Sequence, residues 1–222
     1  MALARNVEAQ CSAELVMKPM FLTAIAALSF LVRSTVANAQ SLSGLRIGDD
    51  ISSTSKLGAP PQATNQTGPF TMEKWVFAEG NALSVTAFRD TGKIVYLESD
   101  WGGRQFGVPS DFPGMTFGKT NLADIRTQTG NNGFAYKTNA LVRVSDGLAL
   151  FNCYQFSKNT RLVVAFVTKL PTSSGGDVQA KRLSVGQAAK LDALVLADMS
   201  YLETIWGKEK TFDPAYNPID WK

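Results

Sequence analysis

The absence of histidine from all 222 residues limits the chemistry that this chain can carry out. Serine and cysteine nucleophiles are most often activated by a neighbouring imidazole, and most zinc sites include at least one histidine. The chain therefore lacks the residue type on which Ser-His-Asp enzymes, Cys-His enzymes and most zinc proteins depend. We expect no catalytic residues, no metal site and no cofactor.

Two short motifs nevertheless resemble parts of enzymes. Ser53 to Lys56 has the S-x-x-K spacing, in which a lysine one helical turn away accepts the serine proton. The sequence contains no S-D-N or K-T-G partner motif for it. Gly114 to Thr120 resembles a phosphate-binding loop, but three residues separate its glycines where that loop needs four. We interpret the first motif as a polar helix face and the second as a helix-capping turn.

The best candidates for binding are aromatic and carboxylate side chains in predicted strands: Trp75, Phe88, Tyr96, Glu98 and Asp100. Successive side chains of a strand point to opposite faces. Tyr96, Glu98 and Asp100 therefore share a face, and Phe88 joins them from the preceding strand. Trp75 fits either face. An open sheet face that mixes aromatics with carboxylates is typical of a protein-binding surface.

The other face of the same strands is predicted to be apolar and to contact a layer of helices. Its residues are Leu83, Val85, Ala87, Val95 and Leu97. An alternative for the aromatic face is that its rings only cover the sheet against a C-terminal helix or a second unit. The sequence leaves both interpretations open.

The first 39 residues have the features of a leader and secretory signal peptide. Met17-Lys18-Pro19 is a short basic start, residues 20–32 are mostly apolar, and Ala37-Asn38-Ala39 is a cleavage site before Gln40. The apolar stretch ends at Arg33, and a bilayer span needs about 20 residues. We expect a periplasmic or secreted protein that begins at Gln40 and has no permanent membrane anchor.

Charge and cysteine content of residues 40–222 exclude other classes. This part of the chain has 19 basic and 17 acidic residues without a basic stripe, so we expect no nucleic-acid partner. Cys153 is its only cysteine, so it can form no internal disulfide. Because Cys153 lies in a strand-like run, we predict a buried structural cysteine.

One short pattern occurs twice, about seventy residues apart. The first copy begins at Leu45-Arg46-Ile47-Gly48 and closes at Gly58, and the second begins at Met115-Thr116-Phe117-Gly118 and closes at Gly130. Such self-similarity usually marks a duplicated supersecondary unit. We predict a first helix-plus-sheet unit over residues 40–110 and a second over residues 111–171.

Each predicted unit has a short helix followed by antiparallel strands. Asp49 or Asp50 caps the first helix, and Thr120 caps the second, which buries Leu122 and Ile125. The predicted strands are residues 70–77, 82–88 and 93–101 in the first unit and 140–144, 148–156 and 161–170 in the second, with a polar loop over 62–69.

Residues 172–222 are predicted to form a spacer, an amphipathic C-terminal helix and a tail. Ser184 and Gln187 have capping-box spacing, and Gly207 ends the pattern. Between them an apolar seam recurs at spacings of three and four: Ala188, Leu191, Val195, Met199, Leu202 and Trp206. We expect this seam to pack on the protein's own sheet, and a dimer or partner contact is the alternative.

The repeated apolar-x-apolar-Gly, short helix and closing Gly, each followed by antiparallel strands, resembles the β-lactamase inhibitory proteins. It is also similar to the SmpA/OmlA family of bacterial envelope proteins. The resemblance covers about residues 43–170 and implies an exported protein that binds other proteins. This chain cannot make the inhibitors' disulfides and lacks the acylated cysteine of the envelope family.

We therefore expect an α+β fold in which two tandem units form one curved sheet layer, closed by the C-terminal helix. The expected function is a non-enzymatic protein-binding module of the cell envelope, an inhibitor, scaffold or assembly factor, whose partner is another envelope or extracellular protein. One alternative is a small-ligand or glycan-binding module that stacks sugars on Trp75, Tyr96 or Trp101. A hydrolase that uses Glu98 and Asp100 is a further alternative. The oligomeric state does not follow from the sequence.

Overall fold

A computed structural model describes residues 40–103 and 107–220. The predicted leader and signal peptide, residues 1–39, lie outside the described residues. The strands are β1 (Ala63–Thr67), β2 (Phe70–Val76), β3 (Ala82–Phe88), β4 (Ile94–Asp100), β5 (Phe134–Tyr136), β6 (Leu141–Val144), β7 (Gly147–Phe156), β8 (Asn159–Pro171), β9 (Lys190–Asp198) and β10 (Lys210–Phe212). The helices are α1 (Leu122–Thr129), α2 (Gly175–Gln179), α3 (Val185–Ala188) and α4 (Met199–Trp206), with 3-10 helices at Ile51–Leu57 and Thr172–Ser174.

The ten strands form one antiparallel sheet in the order β1-β2-β3-β4-β9-β8-β7-β5-β10, with β6 paired to β7. The predicted α+β class and the single sheet layer are confirmed. Strand β9 lies between β4 and β8, so a strand from the C-terminal region joins the sheet of the first half to that of the second.

The long C-terminal helix predicted between Ser184 and Gly207 is wrong. The capping box of Ser184 and Gln187 is present, but its helix α3 is only four residues long, and β9 and α4 follow it. Residues 193–197 are buried without interruption because both faces of the sheet are covered. A continuous apolar run fits a buried strand as well as a helix, and periodicity alone cannot distinguish them.

The caps of the two short helices follow the predicted plan with one correction. The Asp50 side chain accepts a hydrogen bond from the Ser52 amide at the start of the 3-10 helix Ile51–Leu57. The cap of α1 is Asn121, not Thr120, because the Asn121 and Asp124 side chains form a reciprocal capping box. The Thr120 hydroxyl instead accepts from the Thr116 amide at 2.8 Å.

The predicted strands 70–77, 82–88 and 93–101 correspond closely to β2, β3 and β4. The predicted loop over 62–69 is wrong, because it contains β1, the strand at one edge of the described sheet. All five residues of β1 are exposed, so the strand buries no side chain and lacks apolar alternation. Its structure comes from backbone pairing with β2.

The sheet has a covered layer on each side, and we name its faces after the helix on each. On the α1 face, strand residues such as Leu83, Leu97 and Phe166 pack with Ile125 of α1. On the α4 face, residues such as Val195 and Ala165 pack with Leu202 of α4. Two apolar layers therefore stabilise one sheet without a disulfide in the described residues.

One predicted core residue lies on the other face. The sequence predicts Val95 beside Leu97 on the α1 face. A register shift between β3 and β4 instead pairs Thr86 with Tyr96 and Ala87 with Ile94. Ile94 therefore joins the α1-face core, and Val95 packs with the α4-face cluster. A bulge of this kind adds one residue and reverses the alternation locally.

Cys153 is fully buried on the α4 face, as predicted, and burial raises the pKa of its thiol. A thiol that stays protonated and excluded from solvent is a structural side chain. Within residues 40–103 and 107–220, the helices are too short or too polar for any of them to span a bilayer.

Candidate functional site

A groove of about 350 Å³ lies on the α4 face, above strands β1 to β4. Strands β2, β3 and β4 form its floor, β1 borders it, and α4 supplies a wall through Tyr201 and Ile205. Tyr96 and Glu98, two of the predicted site residues, line this groove. We call it the Tyr96 groove.

Strand pairing fixes the positions of the groove residues. One row of directly paired residues is Lys74, Ser84 and Glu98, and the next row is Met72, Thr86 and Tyr96. Residues opposite each other in an antiparallel pair have Cβ atoms about 5 Å apart. Lys74 and Glu98 therefore lie two strands apart on the same face, with the small Ser84 between them.

Helix α4 covers part of this face. It begins directly after β9, where the Asp198 side chain caps it by accepting from the Ser200 amide at 2.8 Å. The Tyr201 ring then lies 5.4 Å from the Tyr96 ring and 4.9 Å from the Phe70 ring, and Phe70 lies 5.3 Å from Phe88. The predicted site residues Phe88 and Tyr96 thus join an aromatic cluster with α4, and Glu98 and Asp100 lie beyond it.

Glu98 and Asp100 are half-buried carboxylates two residues apart on β4. Burial, followed by the neighbouring charge of Asp100, raises the pKa of Glu98 to about 7. The Tyr96 hydroxyl, which donates to Glu98 Oε2 at 2.9 Å, and the Lys74 charge act in the opposite direction. Burial also raises the pKa of Asp100, and Lys74 opposes that rise. Glu98 therefore changes its charge near neutral pH.

The pairing between Lys74 and these carboxylates is weak. Lys74 Nζ lies 3.9 Å from Asp100 Oδ2, and the Lys74 side chain is 50% exposed. Ion pairs at such exposure contribute little because water screens them. Among the described residues, no lysine or arginine nitrogen lies within 4.0 Å of a Glu98 carboxylate oxygen.

Trp75 is separated from the other predicted site residues. It pairs with Leu83, which places its side chain on the α1 face, where it is 1% exposed. Its indole Nε1 donates to the Ala59 carbonyl at 2.9 Å. The structure therefore brings Phe88, Tyr96, Glu98 and Asp100 to one face and places Trp75 in the core behind them.

Two apolar side chains that line the groove are exposed, Met72 on β2 at 41% and Ile205 on α4 at 44%. Val76, further along the same face of β2, is 48% exposed. Single exposed apolar residues are ordinary, but a group around one groove is typical of an interaction site. Sequence alternation could have identified Met72 and Lys74. Tyr201 and Ile205 lie within the predicted C-terminal helix, but they are not part of its predicted apolar seam and so carry no such signal.

Two other cavities of comparable size each contain an ion pair between residues that line them. One, of about 420 Å³, is lined by Arg161 and Asp198, whose side chains form an ion pair at 3.3 Å. The other, of about 450 Å³, contains Trp101 and an ion pair of 2.7 Å between Lys169 and Asp146. We therefore consider the Tyr96 groove the better candidate.

The two enzyme-like motifs lie in a helix and in a turn before a helix, as the sequence predicts. Ser53 to Lys56 forms part of the 3-10 helix Ile51–Leu57, where the Ser53 hydroxyl donates to the Asp50 carbonyl at 2.6 Å. Gly114 to Thr120 is the turn before α1, and Gly118 has a φ of 70° there. The first motif is therefore part of a helix, and the second is the turn that leads into one.

Comparison with solved structures gives a distant structural likeness. No protein-family model matches the sequence, and no curated protein matches it. A cysteine-rich secretory protein from Staphylococcus aureus matches with 14% sequence identity and a TM-score of 0.44. The match covers 81% of this chain and 56% of that protein, so the chain spans little more than half of its length. The resemblance to inhibitor and envelope families stays a prediction.

Proposed function

We propose that this protein is an exported, non-enzymatic binding module that binds another envelope or extracellular protein through the α4 face, as an inhibitor, scaffold or assembly factor. The observation that carries the proposal is the Tyr96 groove, which the exposed Met72 and Ile205 line together with Tyr96 and the half-buried Glu98. Interfaces commonly combine a central aromatic with an apolar surround and a few charges.

The chemistry of the groove supports binding over catalysis. Glu98 and Asp100 project from the same face of one strand, whereas the acid and base of a glycosidase flank the bond that is broken. The chain has no histidine to activate a serine or cysteine nucleophile, and the Cys153 thiol is fully buried.

A small-ligand or glycan-binding module is the second candidate. A groove of about 350 Å³ is at the lower end of ligand-site volumes, which favours this reading. Stacking of a sugar, however, needs a free ring face, and the Tyr96 ring already packs against Tyr201. Trp75 is buried on the opposite face, and Trp101 lines a different cavity. The protein-binding proposal therefore accounts for more of the face.

Site-specific photocrosslinking in the native cell tests the proposal. A benzoylphenylalanine at Met72 would report on the groove, and the same group at Ser55, exposed on the 3-10 helix of the first half, is the matched control. We expect a discrete protein adduct from position 72 that is absent from position 55. Equal adducts from both positions, or none from position 72, would remove the α4 face as the binding surface.

A further inference from the structure

We propose that the Tyr96 groove holds a basic side chain, a lysine or an arginine, of the partner protein, with its methylene groups against Met72 and Ile205 and its charge against Glu98 and Asp100. This inference rests on the proposed function and specifies the chemistry of the contact. It follows from the apolar residues that line the groove and from the two carboxylates, Glu98 and Asp100, that one lysine neutralises only in part.

The negative charge at this end of the α4 face exceeds the positive charge. Glu98 and Asp100 lie two residues apart on β4, and Lys74 is the only lysine or arginine among the described residues that line the groove. Lys74 is the cation that acts on Glu98 and Asp100, and its ammonium lies 3.9 Å from the nearer carboxylate. A cation from a partner would find carboxylates that the chain's own lysine neutralises only in part.

The rim favours a long basic side chain over a small cation. Lysine and arginine place their methylene groups on apolar surface and direct the charge beyond it. Met72 of β2 and Ile205 of α4 both line the groove and supply that apolar surface. The Tyr96 hydroxyl donates to Glu98 and so helps to keep this carboxylate as an acceptor for the charged head.

The charge of the occupant also follows from the titration of Glu98. Because burial and Asp100 raise the pKa of Glu98, an entering cation would favour the ionised carboxylate and displace its proton. An acidic side chain would meet repulsion from Asp100 and from ionised Glu98. The groups that face Glu98 are Tyr96 and Asp100 of β4, Lys74 of β2 and Tyr201 of α4. Binding of a basic group should therefore tighten as the pH rises through about 7.

A nuclear magnetic resonance titration with two capped tripeptides tests this inference on the full chain. The probes are acetyl-Leu-Lys-Leu-amide and acetyl-Leu-norleucine-Leu-amide, which differ in the ammonium group, at millimolar concentration and pH 8. We expect the lysine peptide to shift the amide resonances of Tyr96, Glu98 and Tyr201, and the norleucine peptide to shift them far less.

Two variants separate the charge effect from a loss of structure. Glu98→Gln keeps the shape and should weaken lysine-peptide binding about tenfold, because a charge-assisted hydrogen bond is lost. Lys74→Met removes the competing cation from an exposed position and should strengthen binding. Glu79→Gln, in the exposed turn between β2 and β3, should change nothing.

Equal shifts from both peptides, or no shift in the groove from the lysine peptide, would overturn the inference. Weaker binding by Lys74→Met would also contradict it, and this variant keeps the test decisive if Glu98→Gln fails to fold. None of these outcomes decides the proposed function, since crosslinking from Met72 reports on any partner at this face, whatever its charge.

Discussion

The pKa of Glu98 depends on its position in the fold. The same carboxylate in an extended chain would have a pKa near 4.5, and half-burial beside Asp100 raises that value to about 7. Strand alternation alone placed Glu98 beside Tyr96 and Asp100, and the structure agrees. The raised pKa depends on α4 and on the neighbouring strands, which exclude water.

The raised pKa of Glu98 predicts how stability varies with pH. Between about pH 4.5 and 7 the folded state holds a proton that the unfolded state has lost, so the free energy of unfolding falls as the pH rises through this window. Glu98→Gln removes the buried charge and should stabilise the protein at pH 8 by about 1–2 kcal/mol, after allowance for solvent screening.

Urea unfolding of both proteins at pH 4.5 and pH 8 measures this difference. We expect the gain from Glu98→Gln at pH 8 and little difference at pH 4.5, where Glu98 is protonated in the folded protein. The exposed Glu79→Gln serves as the control and should show no such dependence. An equal gain at both pH values would mean that the charge of Glu98 does not lower the stability of the folded protein.

At the scale of elements, β9 is the strand that holds the sheet together. It pairs with β4 on one side and β8 on the other, and Leu191, Val195 and their neighbours contribute to the two apolar layers. The predicted burial of Leu191 and Val195 is confirmed, although they lie in a strand and not in the predicted helix. The two side chains pack on opposite faces, which a single helical seam could not achieve.

Leu191→Ala tests how much β9, the strand between β4 and β8, contributes to the stability of the sheet. Removing a fully buried leucine side chain leaves a cavity and should cost about 2–5 kcal/mol. Leu183→Ala is a matched control because Leu183 is 38% exposed, and it should change stability by less than about 0.5 kcal/mol. Thermal melts at several protein concentrations should show the same loss for Leu191→Ala at each one. A loss that varies steeply with concentration would indicate an oligomer interface.

At the scale of the whole molecule, the described fold uses residues from close behind the predicted cleavage site. Leu42 and Leu45 are both 0% exposed and belong to the α1-face core. Cleavage before Gln40 would leave both leucines in the mature protein. The predicted signal sequence and the packing of the N-terminal segment are therefore compatible.

We predict that mass spectrometry of the native protein gives Gln40 as the first residue. A chain that begins at Gln40 should melt at the temperature of the native protein, because Leu42 and Leu45 are retained. A chain that begins at Arg46 should lose several kcal/mol, since two buried leucine side chains are missing. Native protein that retains residues 17–39 would contradict the predicted export.

The sequence by itself determined the local features of this protein. The capping residues Asp50 and Ser184, the closing glycines and the extents of β2, β3 and β4 depend on interactions within a few residues, so they could be predicted without the fold. The α+β class and the face shared by Tyr96, Glu98 and Asp100 followed from the same signals.

Only the tertiary structure decided the rest, because burial on both faces removes the periodicity that distinguishes strand from helix. Residues 193–197 are buried throughout, and only pairing with β4 and β8 makes them a strand. The position of β9 in turn directs α4 across the sheet, brings Tyr201 to Tyr96 and forms the groove. Pairing with Leu83 likewise buries Trp75 on the α1 face, opposite the groove. Sequence alternation could not decide between the two faces for Trp75.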